Sequence, residues 1–223
     1  MVPSKDSCTI LFLFLERSFM KIEVIHHATI KLTGSKTIYF DPYDIKEETH
    51  DADYIFITHD HYDHYEEESI KKVKKETTKI VVPTILKEKE HDLVVEPGKD
   101  YNLDELFFQT IPSYNTKASY HPKEKNYVGY NLLLDGFYYY IMGDTNRTQE
   151  ADQVKADICF VPIGGVYTMD VEEASKYINE HNFKKAIPIH YGKIIGDLSL
   201  GEEFKKKIKK EIEVKILIKG ENL

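Results

Sequence analysis

The sequence predicts an α/β protein built from two strand-rich halves, each carrying helices. That pattern suggests two sheets packed face to face with helices outside, a four-layer αββα sandwich. Three observations carry the expectation. Short β-branched and aromatic runs bounded by Gly, Pro and Asp recur through both halves, and amphipathic helical patterns separate some of them. With 223 residues and 41% hydrophobic content, the chain can also bury a substantial core as one domain. Strand and helix counts alone leave other layer orders open.

The elements read as follows. Ile22 to Ile25, Thr29 to Leu32 and Thr37 to Phe40 form a meander, with Gly34-Ser35 as the second turn and Asp41-Pro42 as the exit. Tyr54 to Thr58 is nearly all apolar, as expected of a strand covered on both faces. Glu66 to Glu76 carries Ile70 and Val73 among Lys and Glu, the pattern of a solvated helix with a narrow buried stripe. Strands are expected at Ile80 to Val82 and Leu93 to Val95, joined by a short helical turn over Ile85 to Lys89. The second half has strands at Leu106 to Ile111, Tyr127 to Leu134 and Phe137 to Met142, the last two joined at Asp135-Gly136. Ile158 to Ile163, a helix from Val171 to His181, Ala186 to Ile189, a helix from Glu202 to Lys210 and Val214 to Ile218 complete it.

Residues 1–19 stand apart from this pattern. Their apolar run, Ile10 to Leu15, is too short to span a membrane, and no signal-peptide cleavage region follows. Two readings stand, an upstream extension or an extra packing element, with the domain proper at 20–223. The net charge of −8 opposes sequence-independent nucleic-acid binding. Cys8 and Cys159 are the only cysteines, which points to a reducing cytoplasm, with Cys159 a core thiol. Oligomeric state is left open.

The chemistry is concentrated in Thr58-His59-Asp60-His61-Tyr62-Asp63-His64, directly after a strand. Imidazoles and carboxylates are ligands for zinc, iron or manganese. Their spacing suits two neighbouring ions: the alternating His59 and His61 turn onto one, and the adjacent Asp63 and His64 onto the other. Asp144, in Gly143-Asp144-Thr145, and His190, in Ile189-His190-Tyr191-Gly192, each follow a strand. Asp144 is a candidate bridging ligand and His190 a further one.

Together these residues resemble the metallo-β-lactamase superfamily, in the family's order and over about Met20 to Leu223. The resemblance implies the αββα sandwich, with two divalent transition ions at the sheet edges: zinc, or alternatively manganese or iron. Phe40-Asp41-Pro42-Tyr43, Gly143-Asp144-Thr145 and the run from Pro162 to Asp170 look like the branch of ascorbate-6-phosphate lactonases and small metal-dependent hydrolases. Where the superfamily places a third histidine for the first ion, this chain has Asn115, with His121 a few residues on. His121 is the expected ligand, with Asn115 or an incomplete shell as alternatives. Asp41 is expected to accept the free N–H of a ligand histidine. His26 and His27 are placed near the metal face, and Tyr167, Tyr191 and Arg147 are candidates to line the pocket.

The implied activity is hydrolysis by a metal-activated water, with Asp63 orienting the nucleophile or receiving a proton. The substrate expected is a small molecule with an ester, lactone or related bond. A phosphodiesterase or nuclease is the alternative, against which the short, acidic chain weighs. A di-iron oxidoreductase is less favoured, because related flavodiiron proteins carry Glu where this loop has His61. A non-catalytic metal-binding role would predict ligand losses, which the motif does not show.

Overall fold

A computed structural model describes residues 20–117 and 119–218; the expectations for residues 1–19, with Cys8, lie outside them. The first sheet begins as the expected antiparallel meander of β1 (Lys21–His26), β2 (Thr29–Thr33) and β3 (Thr37–Phe40). β4 (Ala52–Phe56), β5 (Lys74–Pro83) and β6 (Leu93–Val95) extend it in parallel to six strands, with α1 (Glu67–Val73) crossing between β4 and β5. The second sheet has seven. β7 (Asp100–Leu103), β8 (Leu106–Pro112), β9 (Val128–Leu134) and β10 (Phe137–Ile141) pair antiparallel, and β11 (Ile158–Pro162), β12 (Lys185–Ile189) and β13 (Glu213–Val214) add in parallel. α2 (Val171–Glu180) and α3 (Ser199–Lys207) are the crossovers of that parallel part.

The layer order follows from strand alternation, because successive side chains point to opposite faces. In β4, Tyr54 and Phe56 enter the core between the sheets, while Ile55 and the following Ile57 pack with Ile70 and Val73 of α1. β3 and β5 alternate alike, sending Phe40 and Val81 inward and Tyr39, Ile80 and Val82 outward. On the far side, α2 buries Val171, Ala174, Tyr177 and Ile178, a helical stripe, and Asp170 caps its first turn by accepting the Glu173 N–H at 2.8 Å. Helix, sheet, sheet, helix is therefore the observed order. Among the described residues, no helix is long and apolar enough to cross a membrane.

The departures from the sequence reading have local causes. The first helix ends at Val73 rather than Glu76, because Thr77-Thr78 and the β-branched run after them draw the chain into a strand. Thr78 Oγ1 donates to the Ala52 carbonyl at 2.6 Å and fixes the irregular register there. The edge strand β7 escaped notice because its alternation is half-exposed, yet Tyr101 stacks on Phe108 with ring centroids 5.4 Å apart. α3 starts three residues early, at Ser199, whose N–H is taken by the Asp197 carboxylate. The last strand stops at Val214 instead of Ile218. Ala186 still offers its carbonyl to Lys215, but the next residue on that side of β12 is Pro188, which has no N–H to continue the ladder.

Phe56 joins the two sheets: its ring stacks on Phe40 at 5.2 Å and meets Phe108 and Tyr130 edge-on, each at 5.0 Å. Phe56→Ala is expected to cost about 3–5 kcal/mol of stability through lost burial and the cavity it leaves. Phe137→Ala, on the half-exposed hairpin, should cost less than about 1 kcal/mol. Urea unfolding with unchanged m-values checks both.

Candidate metal centre

The site residues all emerge from one edge of the molecule. The pairings give β1, β3, β4, β5 and β6 one sense in the first sheet, and β8, β10, β11 and β12 one sense in the second. Beyond the carboxyl ends of these strands come His27, Asp41, His59 to His64, Asn115, Asp144 and His190. Ligand sites in open α/β sheets lie at such ends. Gly143 adopts φ +67°, and a Cβ there would crowd Ser113, Val128 and Thr58, so the chain turns Asp144 inward where the two sheets meet.

Asp144 is the hub. Its Oδ2 lies 2.8 Å from His190 Nε2, 3.4 Å from His121 Nε2 and 3.9 Å from His59 Nε2, and its Oδ1 lies 3.3 Å from His64 Nε2. Two groups of donor atoms surround it, each gathered within 4.8 Å: His59 with His61 and His121, and His64 with His27, Asp63 and His190. His59, His64 and Asp144 form a third set that links them.

The imidazoles are oriented by hydrogen bonds at the opposite nitrogen. Thr58 Oγ1 donates to Asp41 Oδ2 at 2.7 Å, so at 2.9 Å it accepts from His59 Nδ1. His64 Nδ1 donates to the same Asp41 oxygen at 2.8 Å, and His121 Nδ1 to the Tyr167 carbonyl at 3.1 Å. In all three rings Nε2 is thereby turned toward Asp144. Nε2 of His59, of His64 and of His190 and Oδ1 of Asp144 are buried and have no hydrogen-bond partner in the protein. Buried polar atoms of this kind call for an occupant, and imidazole nitrogens with a carboxylate form the donor set of a zinc, manganese or iron site.

The electrostatics divide the cluster, favouring the unprotonated donor form at every shifted group except His64. Burial pushes the Asp144 carboxyl up, but His190 and His64 outweigh it and hold the group well below the usual carboxylate range. Burial pulls His64 down, yet the Asp144 and Asp41 carboxylates hold it well above its ordinary value. His59 is depressed by burial and by His64. Burial likewise lowers His121 to about 4, and burial together with His190 lowers His27 to about 4. Asp63 is pushed up by burial but held at about 2 by the His27 hydrogen bond and the His64 charge.

The other expected residues are distributed unevenly. Asp41 lies where anticipated, accepting from Thr58 N at 2.7 Å as well as from Thr58 Oγ1 and His64. His27 reaches Asp63 Oδ2 at 3.1 Å, whereas His26 turns away and donates to the Asp44 carbonyl at 2.9 Å. Asn115 is buried, and its Oδ1 has no hydrogen-bond partner in the protein. Its Nδ2 donates to the Tyr167 carbonyl at 2.9 Å, and its backbone N–H holds the His121 carbonyl at 2.8 Å. Tyr167 lines the cleft over the cluster. Arg147 does not: it pairs with Asp152 and Glu180 and faces Tyr177, because those acids sit on the α2 side. Tyr191 is also absent from the lining, being fully buried with its ring against Gly201 of α3. Sequence reasoning missed Thr58, whose only signal was its place between strand and motif, and the cleft walls Tyr62, Tyr120, Ile194 and Ile195.

Residues 21–190 match the family model of the beta-lactamase superfamily domain. A UPF0173 metal-dependent hydrolase of Thermococcus kodakarensis is 30% identical over 223 residues, spanning 92% of this chain and 99% of that one. Another, from Staphylococcus carnosus, is 30% identical over 85% of this chain and 96% of its own length. Among solved structures, one described as a metal-dependent hydrolase from Parabacteroides distasonis superposes with a TM-score of 0.78 at 30% identity, covering 90% of this chain and 94% of that one. Igni18, a metallo hydrolase from Ignicoccus hospitalis, shares the fold at TM-score 0.72 and 23% identity, over 91% of this chain and 96% of its own.

Asp41→Asn is expected to weaken metal affinity by about 10–100-fold, because the carboxylate that fixes His64 directly and His59 through Thr58 is lost. His121→Ala should weaken one of two binding events selectively, and Asn115→Ala should change affinity less than His121→Ala does. Zinc titrations against a competing chelator measure all three; a larger loss from Asn115→Ala would transfer the ligand role to that residue.

Proposed function

This chain belongs to the beta-lactamase superfamily, and we propose that it is a metal-dependent hydrolase that would hold two ions with the side chains gathered around Asp144. The observation that carries this reading is the set of three imidazoles whose Nδ1 hydrogen bonds turn Nε2 onto one buried carboxylate. His59, His61 and His121 would hold the first ion, Asp63, His64 and His190 the second, and Asp144 would bridge them. When bound, such ions lower the pKa of a water toward neutrality and polarise the oxygen of a carbonyl or phosphoryl group.

The chain's own residues supply the remainder. Asp63 borders the cleft, where its carboxylate can orient the attacking water or receive its proton. His27 Nε2 donates to that carboxylate and limits its rotation. The walls exclude bulk water from the floor, since His59, His121, Asp144 and His190 are each buried. No Ser or Cys nucleophile is needed: Cys159, the cysteine among the described residues, is buried in the core with its thiol pushed up by burial. An ester, lactone or related acyl bond is the favoured substrate bond, and zinc the favoured metal, with manganese or iron next.

Chelation should abolish hydrolysis in a small panel of esters, lactones and phosphodiesters, and divalent zinc or manganese should restore it. Asp144→Ala should lower kcat/KM by more than about a hundredfold, beyond the loss typical of an outer-sphere partner. Elemental analysis of the reconstituted protein should find up to two equivalents of metal. Turnover that survives complete metal removal would refute the reading.

A further inference from the structure

The cleft above the metal centre divides into a polar floor and an apolar wall. It encloses about 550 Å³, and its wall is made by Tyr62, Tyr120, Tyr167, Ile194 and Ile195. That volume falls within the range of roughly 300–1,000 Å³ typical of small-molecule sites. Among the described residues that line it there is no Lys or Arg. The charged groups are the floor carboxylates and Asp60, whose Oδ1 accepts from Tyr127 at 2.7 Å. A phosphate or carboxylate on the non-reacting end of a substrate would meet acids and apolar surface, with no cation to receive it.

The three most exposed large hydrophobic side chains of the described residues are Tyr62 at 65%, Val166 at 64% and Tyr120 at 52%. Two line the mouth, and the third precedes Tyr167. Isolated apolar residues on a surface mean little, but their convergence on one opening leaves an apolar patch exposed among the described residues. The mouth is also a built structure. Val166 takes φ +46°, costly for a β-branched residue, and is held there by Gly165 N–H to the Met169 carbonyl at 3.0 Å and Met169 N–H to the Thr145 carbonyl at 3.1 Å. Tyr120 meets Tyr167 edge-on with centroids 4.5 Å apart. A Cβ at Gly164 would fall 2.2 Å from the His190 carbonyl and 2.7 Å from Ile195 Cγ2, so the absent side chain is what lets Ile195 stand at the wall.

Resting on the hydrolase reading above, we infer that the substrate's non-reacting portion is an uncharged apolar group, an aliphatic chain or aryl ring, seated between the tyrosines and Ile194-Ile195. The acyl carbon would face the polar floor. Phosphorylated or carboxylate-tailed substrates are poor ones.

The test uses the metal-loaded full-length protein with p-nitrophenyl acetate, butyrate and octanoate, the mono-p-nitrophenyl ester of suberate, and bis-p-nitrophenyl phosphate. kcat/KM is expected to rise at least about tenfold from acetate to octanoate and to fall by a similar factor when the octanoyl tail ends in a carboxylate. Tyr120→Ala and Ile194→Asp should each flatten that gradient. Titration calorimetry with octanoate and suberate, on loaded and metal-free protein, reads the apolar wall independently of turnover. Octanoate should bind at least about tenfold tighter. A flat or inverted chain-length profile, or suberate binding as well as octanoate, would overturn the inference while leaving the hydrolase reading intact. Hydrolysis of the phosphodiester alone would overturn the acyl-bond reading, and the calorimetry would still decide for or against the wall. If the patch instead packs against a second copy, sedimentation would show a dimer that Tyr62→Ser dissociates and octanoate would bind no better than suberate, which also overturns it.

Discussion

The constraint on which the rest of the structure depends is a carboxylate buried where two sheets meet. Asp144 is 3% exposed, and an ionised carboxylate so placed is costly unless charge or donors surround it. Its surroundings come from both halves of the chain: His59 and His64 from the end of the first sheet, His190 from the second, and His121 from the loop after β8. Compensating Asp144 therefore fixes how the sheets sit against each other at this edge. The contacts beneath serve the same end, with Val128 N donating to the Thr58 carbonyl at 3.2 Å and Tyr130 Oη to the Ile57 carbonyl at 2.7 Å. Loop position is thus set by the core, not by the loop itself.

Holding so many polar groups at one edge stores strain that the core must offset. His27, Asp41, Val166 and His190 all occupy the left-handed region without being glycine, at φ +47°, +46°, +46° and +59°. Each such residue costs of order 1–3 kcal/mol where the surroundings over-determine it. Each also turns the chain sharply next to the site. His27 and His190 share a backbone hydrogen bond, His190 N–H to the His27 carbonyl at 2.8 Å, which ties β1 of one sheet to β12 of the other. The aromatic group of Phe40, Phe56, Phe108 and Tyr130 lies in the core between the same sheets and supplies the dense packing that resists relaxation.

Much of this was legible in the sequence, for physical reasons that differ by element. β4 could be read because the apolar run Tyr54 to Ile57, buried on both faces, reads as a covered strand once a polar loop follows it. The dense His and Asp loop was legible because its chemistry is local, every donor lying within six residues of the first. His121 was harder: it is brought to His59 and His61 by main-chain hydrogen bonds, from Asn115 N–H to its carbonyl and from its own ring to the Tyr167 carbonyl. Backbone partners leave no residue signature. Thr58 was invisible for a related reason, because a threonine before a histidine signifies nothing until Asp41 is known to lie 2.7 Å away. Arg147 misled because nearness in sequence to Asp144 does not set direction, and Asp152 and Glu180 offered the guanidinium closer partners. The end of the last strand at Val214 depended on which side of β12 Pro188 faces, which only the register reveals.

Tyr167 shows how floor and wall can be joined without being locked together. Its carbonyl takes hydrogen bonds from His121 Nδ1 and Asn115 Nδ2, while its side chain lines the cleft against Tyr120. Positioning of the histidine thus runs through the main chain, and contact with whatever fills the cleft runs through the ring. A carbonyl is present whatever residue stands at that position, so a change of side chain alters the wall while the acceptor for His121 is kept. The same separation holds at Gly164, where the missing Cβ admits both the His190 carbonyl and Ile195. A site built this way keeps its donor geometry in the backbone and the strand ends. It leaves the apolar wall to side chains on loops, where substitution is cheapest.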